Sequence, residues 1–350
     1  MTRHIPAKEL EAFAAAILQA AGYTAAESTR TAQSLILSDL VGYSSHGVIR
    51  VTEYVSSLQR KEWQSGLDLA IRAESASHCV ADGQRCLGQV QMPRLLERLF
   101  EKAKTQPVVS GTLAQSGHVG RLGEWVENIA AQGLAGFLAV NDNGAVLCTA
   151  PYGGKEATTS TNPFAFGIPL KNGGTFTLDT STSATAQGKM RLAYLDRTPA
   201  PKGLIQDSNG TPTTNPAVLF EEPLGSILPM GGHKGFGLSM MVDCLTAGLS
   251  GGYTPPAPSG TPFFNTVSVT IWNPAHFCGL EHMQTESEKY LAFVRNSAPI
   301  DSAHPVRIPG ERAKAEKEKR LKNGIPLEEG TIRALIDTAE ELSVQRPEIL

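Results

Sequence analysis

The chain has 350 residues, 41% of them hydrophobic and 19% charged, which suits a globular protein of two or three domains and excludes wholesale disorder. Its 31 basic and 34 acidic residues leave a formal charge of −3, so no global basic field invites nucleic acid. The absence of an unbroken apolar run of about 18 residues, a charged start (MTRHIPAKELEAF) and five cysteines without a C-x-x-C pair (Cys79, Cys86, Cys148, Cys244, Cys278) lead us to expect a cytoplasmic protein with reduced thiols and no membrane partner.

In chain order, the first 60 residues read as helical. Leu10, Phe13, Ala14, Ile17, Leu18 and Ala21 recur at helical spacing between Pro6 and Gly22. Thr24 and Glu27 then make a capping box for a second helix reaching about Ser38. A third helix is expected from near Ser45 through VIRVTEYVSSLQR. Val108 to Ala114 reads as a strand ahead of the glycine-rich SGHVGRLG, and a helix over Glu124 to Gln132 is stopped by Gly133. Further strands are expected over Gly136 to Asn141, Ala165 to Pro169 and Phe176 to Asp179. Between Pro199 and Pro229 there is turn chemistry without a period. The apolar helix LSMMVDCLTAGL should begin just after GGHKGFG, with Met240 and Met241 in the core, and a loop follows from Gly251 to Pro262. Arg307 to Lys322 interleaves its basic residues with three glutamates and reads as a solvated helix face. Leu327 to Leu342 is one more amphipathic helix.

Four stretches could carry chemistry. In SSHGVIR, a helix would place His46 and Arg50 at i and i+4 on one side. An imidazole exchanges a proton near neutral pH, and a guanidinium grips a carboxylate through two parallel hydrogen bonds, the pair that reduction of a 2-oxo acid needs. A surface His and Arg on a capped helix is the plainer alternative. SGHVGRLG (Ser116 to Gly123) resembles a phosphate loop, with Asp142 placed 19 residues past Gly123 where a ribose-binding acid would sit, but its spacing is G-x-x-G-x-x-G. His118 within it is either a second acid/base or a loop residue. LDTSTSATAQGK (Leu178 to Lys189) follows Asp179 with seven small residues that would let a ligand approach the backbone, or it is an ordinary strand-to-helix turn. GGHKGFG (Gly231 to Gly237) surrounds His233 and Lys234 with glycine, as an anion site or a flexible hairpin would. GLSGG (Gly248 to Gly252) matches a nucleophile elbow but ends a helix. With no H-E-x-x-H spacing and no Cys/His cluster, no metal is expected.

Taken in order, SSHGVIR, SGHVGRLG, TNPFAFGIP (Thr161 to Pro169), LDTSTSATAQGK, NGTPTTNPA (Asn209 to Ala217), GGHKGFGL, PGE (Pro309 to Glu311) and NGIPL (Asn323 to Leu327) resemble the blocks of the type 2 lactate/malate dehydrogenase family, which is distinct from the Rossmann-fold lactate and malate dehydrogenases. HVGRLGEW and NPAVLFEEPLGSIL are most similar to its hydroxycarboxylate dehydrogenase subgroup. The resemblance covers nearly the whole chain. It implies an α/β (α+β) fold: a mixed, largely antiparallel sheet wrapped by helices in a non-Rossmann cofactor domain (136–299), a helical domain from both chain ends (1–60 with 326–350), and a smaller α/β substrate and dimer domain (61–135 with 300–325).

The same resemblance implies a homodimer that uses NAD or NADP to move a hydride to and from C2 of a small 2-oxo or 2-hydroxy acid. By it His46 is the proton donor and acceptor, Arg50 holds the substrate carboxylate, Asp179 lies between cofactor and substrate, and His118 matches a base proposed in some relatives. Cofactor contacts are expected at His46, Gly120, Arg121, Leu122, Leu178, Asp179, Thr180, Ser181, His233, Gly310, Glu311 and Arg312, with Lys234 and Asn265 as further carry-overs. Two departures bear on the substrate: Val41 stands where many relatives have arginine, and His233 where relatives often have Tyr or Phe. Reduction of a cyclic imino acid is the rival within the fold, and a non-catalytic nucleotide-binding relative the rival outside it.

Overall fold

The computed structural model describes residues 2–348. The chain opens with strand β1 (Thr2–Ile5) and helices α1 (Ala7–Ala21), α2 (Ala25–Leu40) and α3 (Val51–Gln59). Next come β2 (Ala70–Glu74), β3 (His78–Asp82), α4 (Gly88–Ala103), β4 (Val108–Ser116), α5 (Leu122–Ala131) and β5 (Ala135–Asn141). A hairpin of β6 (Phe164–Pro169) and β7 (Thr175–Thr180) leads to α6 (Gln187–Leu195) and to the short strands β8 (Ile205–Gln206), β9 (Pro212–Thr213) and β10 (Ser226–Ile227). The remainder holds α7 (His233–Ser250), β11 (Asn265–Trp272), α8 (Leu280–Arg295), α9 (Glu311–Asn323), β12 (Ile325–Glu328) and α10 (Glu329–Glu341).

The two chain ends meet. β1 pairs antiparallel with β12, and α1, α2, α3 and α10 share one apolar cluster that includes Leu10, Ile17, Leu35, Val51, Tyr54 and Leu335. α1 stops at Gly22, whose φ of 115° turns its N–H back to the carbonyls of Leu18 and Gln19. The capping box that starts α2 is formed: Glu27 N–H donates to Thr24 Oγ1 at 3.2 Å, and Thr24 N–H donates to Glu27 Oε2 at 3.0 Å.

A seven-stranded sheet runs β2-β3-β4-β11-β5-β6-β7. Only β3 and β4 pair in parallel among these neighbours, so the sheet is mixed and largely antiparallel. It is continuous across residues 135 and 136, because β11 hydrogen-bonds to β4 on one side and to β5 on the other. Alternation along β11 gives its two faces different characters. Val267, Val269 and Ile271 join the apolar cluster under α4 and α5, while the intervening positions are Thr266, Ser268 and Thr270, and α7 packs on β11 as well. Among the described residues no helix is long and apolar enough to cross a membrane.

Several expectations change. β2, β3, α4, β11 and α8 had no counterpart in the sequence reading, although the NTVSVTIW of β11 alternates cleanly. The helix expected from Leu327 is preceded by β12, which supplies the pairing for β1. The segment from Pro199 to Pro229 builds a three-stranded sheet of β10, β8 and β9. Met240 and Met241 are 49% and 39% exposed and lie outside the core. α9 buries none of its residues, as a solvated face would.

Candidate active site

The first site segment is shaped by one buried carboxylate. Val48 N–H donates to Asp39 Oδ2 at 2.8 Å, and a Cβ on Gly47 would stand 2.0 Å from Asp39 Oδ1, so only glycine fits. Burial pushes the Asp39 carboxyl up to about 7, against the Val48 N–H and Arg320. The chain passes Asp39 in two single 3-10 turns, Ser44–His46 and Val48–Arg50, with Gly47 extended between them, and regular helix begins only at Val51. The continuous helix expected from Ser45 is therefore broken. His46 and Arg50 are joined by another route: Arg50 Nε donates to the Ser45 carbonyl at 2.7 Å, and Ser45 Oγ lies 3.0 Å from His46 Nδ1. Arg50 Nη1 donates to Glu53 at 2.5 Å, and Nη2 has no hydrogen bond among the described residues.

His118 arrives from the loop after β4. Its ring stacks on His46 with centroids 5.3 Å apart and planes 28° apart. The loop is pinned by Asn265 at the start of β11, whose Oδ1 accepts from Val119 N–H at 2.9 Å while Nδ2 donates to the Asn141 carbonyl at 3.2 Å. Both amide atoms of Asn265 thus serve the loop and the sheet. Burial, then Arg50 and Arg121, brings His46 down to about 4; surface exposure leaves the ring half-buried, but most of the volume around it is protein. Burial, then Arg50 and His46, drives His118 well below the usual histidine range. Two neutral imidazoles therefore face each other beside a guanidinium at neutral pH.

The rest of SGHVGRLG meets β7. Gly123 N–H donates to Asp179 Oδ2 at 2.8 Å, so Asp179 caps α5 from another strand and does not cap the helix after it. Arg121 is 2% exposed, bonds Glu127 at 2.6 and 3.2 Å, and brings Nη1 to 4.0 Å from Asp179. Its buried Nε has no partner among the described residues. Burial raises the Asp179 carboxyl against the pull of Arg121 and the Gly123 N–H. Arg121 also lies 5.8 Å from the Tyr43 ring, and Asp179, Arg121 and Arg312 all act on that phenol, which places Arg312 on the same side. Gly310 packs on β7, where a Cβ would stand 3.3 Å from the Thr177 carbonyl. Glu311 is engaged by Ile308 N–H at 2.9 Å and by Arg295.

The small residues after Asp179 fold onto GGHKGFG. Met230 N–H donates to Thr182 O and Ala184 N–H to Leu228 O, both at 2.8 Å, and a Cβ on Gly235 would clash with Met230 O at 2.2 Å. His233 and Lys234, both exposed, start α7 beside this run. The first turn of α6 closes on the histidine segment, since a Cβ on Gly188 would stand 3.3 Å from Ser45 Cβ. Asp142 does not join them: its carboxylate takes the N–H groups of Gly144 at 3.2 Å and Val146 at 3.0 Å in a turn after β5, which ends the ribose-acid reading. A cavity of about 710 Å³ bordered by Tyr194, Arg197, Asn215 and Glu221 contains none of the candidate residues. Sequence reasoning missed Tyr54 and Gln89, which stand behind His118, and Tyr43. Tyr54 could have been found as the next helical position after His46 and Arg50; Gln89 carries no local signal.

Residues 5–336 match the malate/L-lactate dehydrogenase family. The chain is 34% identical over 342 residues to hydroxycarboxylate dehydrogenase B of Escherichia coli K12, covering 97% of this chain and 94% of that one. Among solved structures it is similar to sulfolactate dehydrogenase from Methanocaldococcus jannaschii (28% identity, TM-score 0.87, 98% of each chain). It is also similar to delta1-piperideine-2-carboxylate reductase from Pseudomonas syringae pvar. tomato (26% identity, TM-score 0.84, 96% of this chain and 100% of that one). Sequence and fold together place this chain in the malate/L-lactate dehydrogenase family, as a nicotinamide-dependent 2-hydroxy acid dehydrogenase.

Proposed function

We propose that the reaction takes place at the cluster of His46, His118 and Arg50, on a small 2-hydroxy acid of the hydroxycarboxylate, lactate or malate type. The observation that carries this reading is the pair of stacked imidazoles, 5.3 Å apart, beside a guanidinium whose Nη2 is free among the described residues. Arg50 takes the substrate carboxylate, which fixes C2 and its oxygen against the rings. In the oxidation direction, the neutral imidazole of His46 accepts the hydroxyl proton as charge builds on the C2 oxygen; in reduction it returns that proton. Asp179, turned toward Arg121 and the start of α5, holds the wall between substrate and cofactor.

The residues present fit a nicotinamide nucleotide. β7 is an edge strand, so one side of the Leu178–Thr180 backbone has no strand partner. Ser181 and the small residues after it, with Gly120 and Gly310 at φ of 74° and 93°, permit close backbone approach. Lys234 and Arg312 would supply cations for phosphate, with His233 next to Lys234 and Glu311 next to Arg312 in the chain, while Leu122, buried in the core, opens α5 behind Gly120. When bound, the cofactor supplies or accepts the hydride. NAD and NADP remain the two forms to compare.

Three further features belong to the same proposal. The open apolar face of α7 (Met240, Met241, Leu249) supports a homodimer, and five unpaired cysteines support a cytoplasmic setting. The apolar cluster shared by the two chain ends supports treating them as one helical domain. The deciding experiment follows NADH and NADPH oxidation against a panel of 2-oxo acids and cyclic imino acids. Turnover on 2-oxo acids is expected. Turnover confined to cyclic imino acids would transfer the assignment to the imine reading, and no oxidation on either panel would remove catalysis.

A further inference from the structure

Tyr54 lies wholly buried behind His118, between the apolar cluster of the helical layer and the site. Its Oη is 2.7 Å from His118 Nδ1, and Gln89 Nε2 donates to the same Oη at 2.8 Å. Gln89 is fully buried as well, on the first turn of α4. The main chain holds Tyr54 from the other side, because Tyr23 Oη donates to the Tyr54 carbonyl at 3.0 Å.

A phenol has one proton to give. With Gln89 Nε2 facing the phenol oxygen, and Gln89 Oε1 left without a partner among the described residues, the Tyr54 O–H is directed to His118 Nδ1, which then accepts. An imidazole that accepts at Nδ1 carries its proton at Nε2. His118 Nε2 makes no hydrogen bond among the described residues and is left to serve a ligand. Protonating His118 would put N–H at both ring nitrogens and strand the buried Tyr54 O–H without an acceptor, a penalty that falls on the charged form.

We propose that Tyr54 and Gln89 are positioning residues that hold His118 as the neutral Nε2–H tautomer, so that His118 offers an N–H to the C2 oxygen of the substrate while His46 alone carries the proton. This rests on the assignment of the histidine cluster as the reaction site. It divides the work between two adjacent histidines by what backs each ring: His118 is backed by a phenol, and among the described residues His46 Nδ1 meets only the rotatable hydroxyl of Ser45 at 3.0 Å. The depressed proton affinity of His118 agrees with this arrangement. A ring that already bears hydrogen on its outward nitrogen cannot accept the hydroxyl proton during oxidation, which leaves that step to His46.

The test is nitrogen NMR of the full chain labelled with ¹⁵N-histidine, with His118 identified by loss of its signals in His118→Gln. The parent is expected to show His118 as the Nε2–H tautomer, without titration between about pH 5 and about pH 8. Tyr54→Phe should release it into a mixture of tautomers and lower turnover about tenfold, the scale of one lost hydrogen bond, with cofactor Michaelis constants little moved. Gln89→Glu reverses the chain: its carboxylate accepts from Tyr54, whose oxygen then accepts from Nδ1–H, and the Nδ1–H tautomer should appear. The proposal is overturned by an Nδ1–H tautomer in the parent, a result that needs no variant to fold, or by Tyr54→Phe leaving tautomer and turnover unchanged. If the tautomer is as stated but His118→Ala keeps full turnover, the relay stands and it is the placement of His118 in the reaction site that fails.

Discussion

α1 and α7 have opposite polarity. α1 buries Leu10, Phe13, Ile17 and Leu18 and turns Lys8, Glu9 and Gln19 outward, the usual arrangement for a helix on a core. α7 turns Gly235, Ser239, Asp243, Thr246 and Ser250 inward alongside Val242 and Ala247, and leaves the larger Met240, Met241 and Leu249 exposed. Its inward face is satisfied by polar contacts. Asn162 Nδ2 donates to Asp243 Oδ2 at 2.6 Å and to Ser239 Oγ at 3.0 Å, and Asn141 Nδ2 donates to Asp243 Oδ1 at 3.0 Å. A hydrogen-bonded network thus holds this helix to its sheet, and its large apolar side chains stay on the exposed side. The histidine segment rides on the first kind of packing and His233 with Lys234 on the second.

The comparison can be broken at several places. The largest effect is expected where the densely packed layer carries chemistry. His46→Ala should lower turnover by about 10²–10⁴-fold with little change in Michaelis constant; steady-state kinetics showing near-normal turnover on every 2-oxo acid used by the parent would remove His46 from the proton step. Arg50→Ala should weaken substrate binding by roughly 2–3 kcal/mol, and Arg50→Lys should recover only part of it, because a point charge lacks the fork. A comparable loss in stability should follow Leu18→Ala in α1, about 2–5 kcal/mol by denaturant titration. Met240→Lys combined with Leu249→Lys should leave the protomer folded but shift it from dimer to monomer in sedimentation, and a parent that already sediments as a monomer would refute the docking role of α7.

The smallest effect concerns pH. Burial, with Arg50 and Arg121, holds the His46 imidazole down at about 4, so it stays an acceptor as the medium is acidified. The rate of hydroxy acid oxidation should keep its acid limb near 4, and a limb at 6.5 would contradict the burial of this ring. The sign for stability follows. Because the folded value is lowered, the advantage of the neutral ring is complete above 6.5 and is lost as pH falls from 6.5 toward 4.

Much of this was legible in the chain itself. The α1 periodicity, the Thr24 and Glu27 capping box, and the strands after Val108, Gly136 and Ala165 are local patterns, and local patterns survive folding. His46, Arg50, His118 and Asp179 were recognisable as chemistry-bearing types in glycine-rich or small-residue surroundings. Tyr54 offered only its helical spacing from His46 and Arg50, and Gln89 offered no local signal, since nothing in a buried Tyr or Gln announces which histidine it will meet across 64 residues of chain or which phenol across 35.

Residue order alone therefore settled the family blocks, the helical ends and the acidic net charge, because each is written in the residues of the chain itself. Tertiary structure decided the rest. It placed β11 between β4 and β5, ran one sheet across residues 135 and 136, and turned the methionines of α7 outward. It also broke the expected helix at Gly47, because the Asp39 carboxylate needs the space a Cβ would take. Strand order and helix orientation depend on contacts between segments more than a hundred residues apart, such as Asn141 with Asp243 over 102 residues and Val119 with Asn265 over 146, and no window of sequence contains both partners.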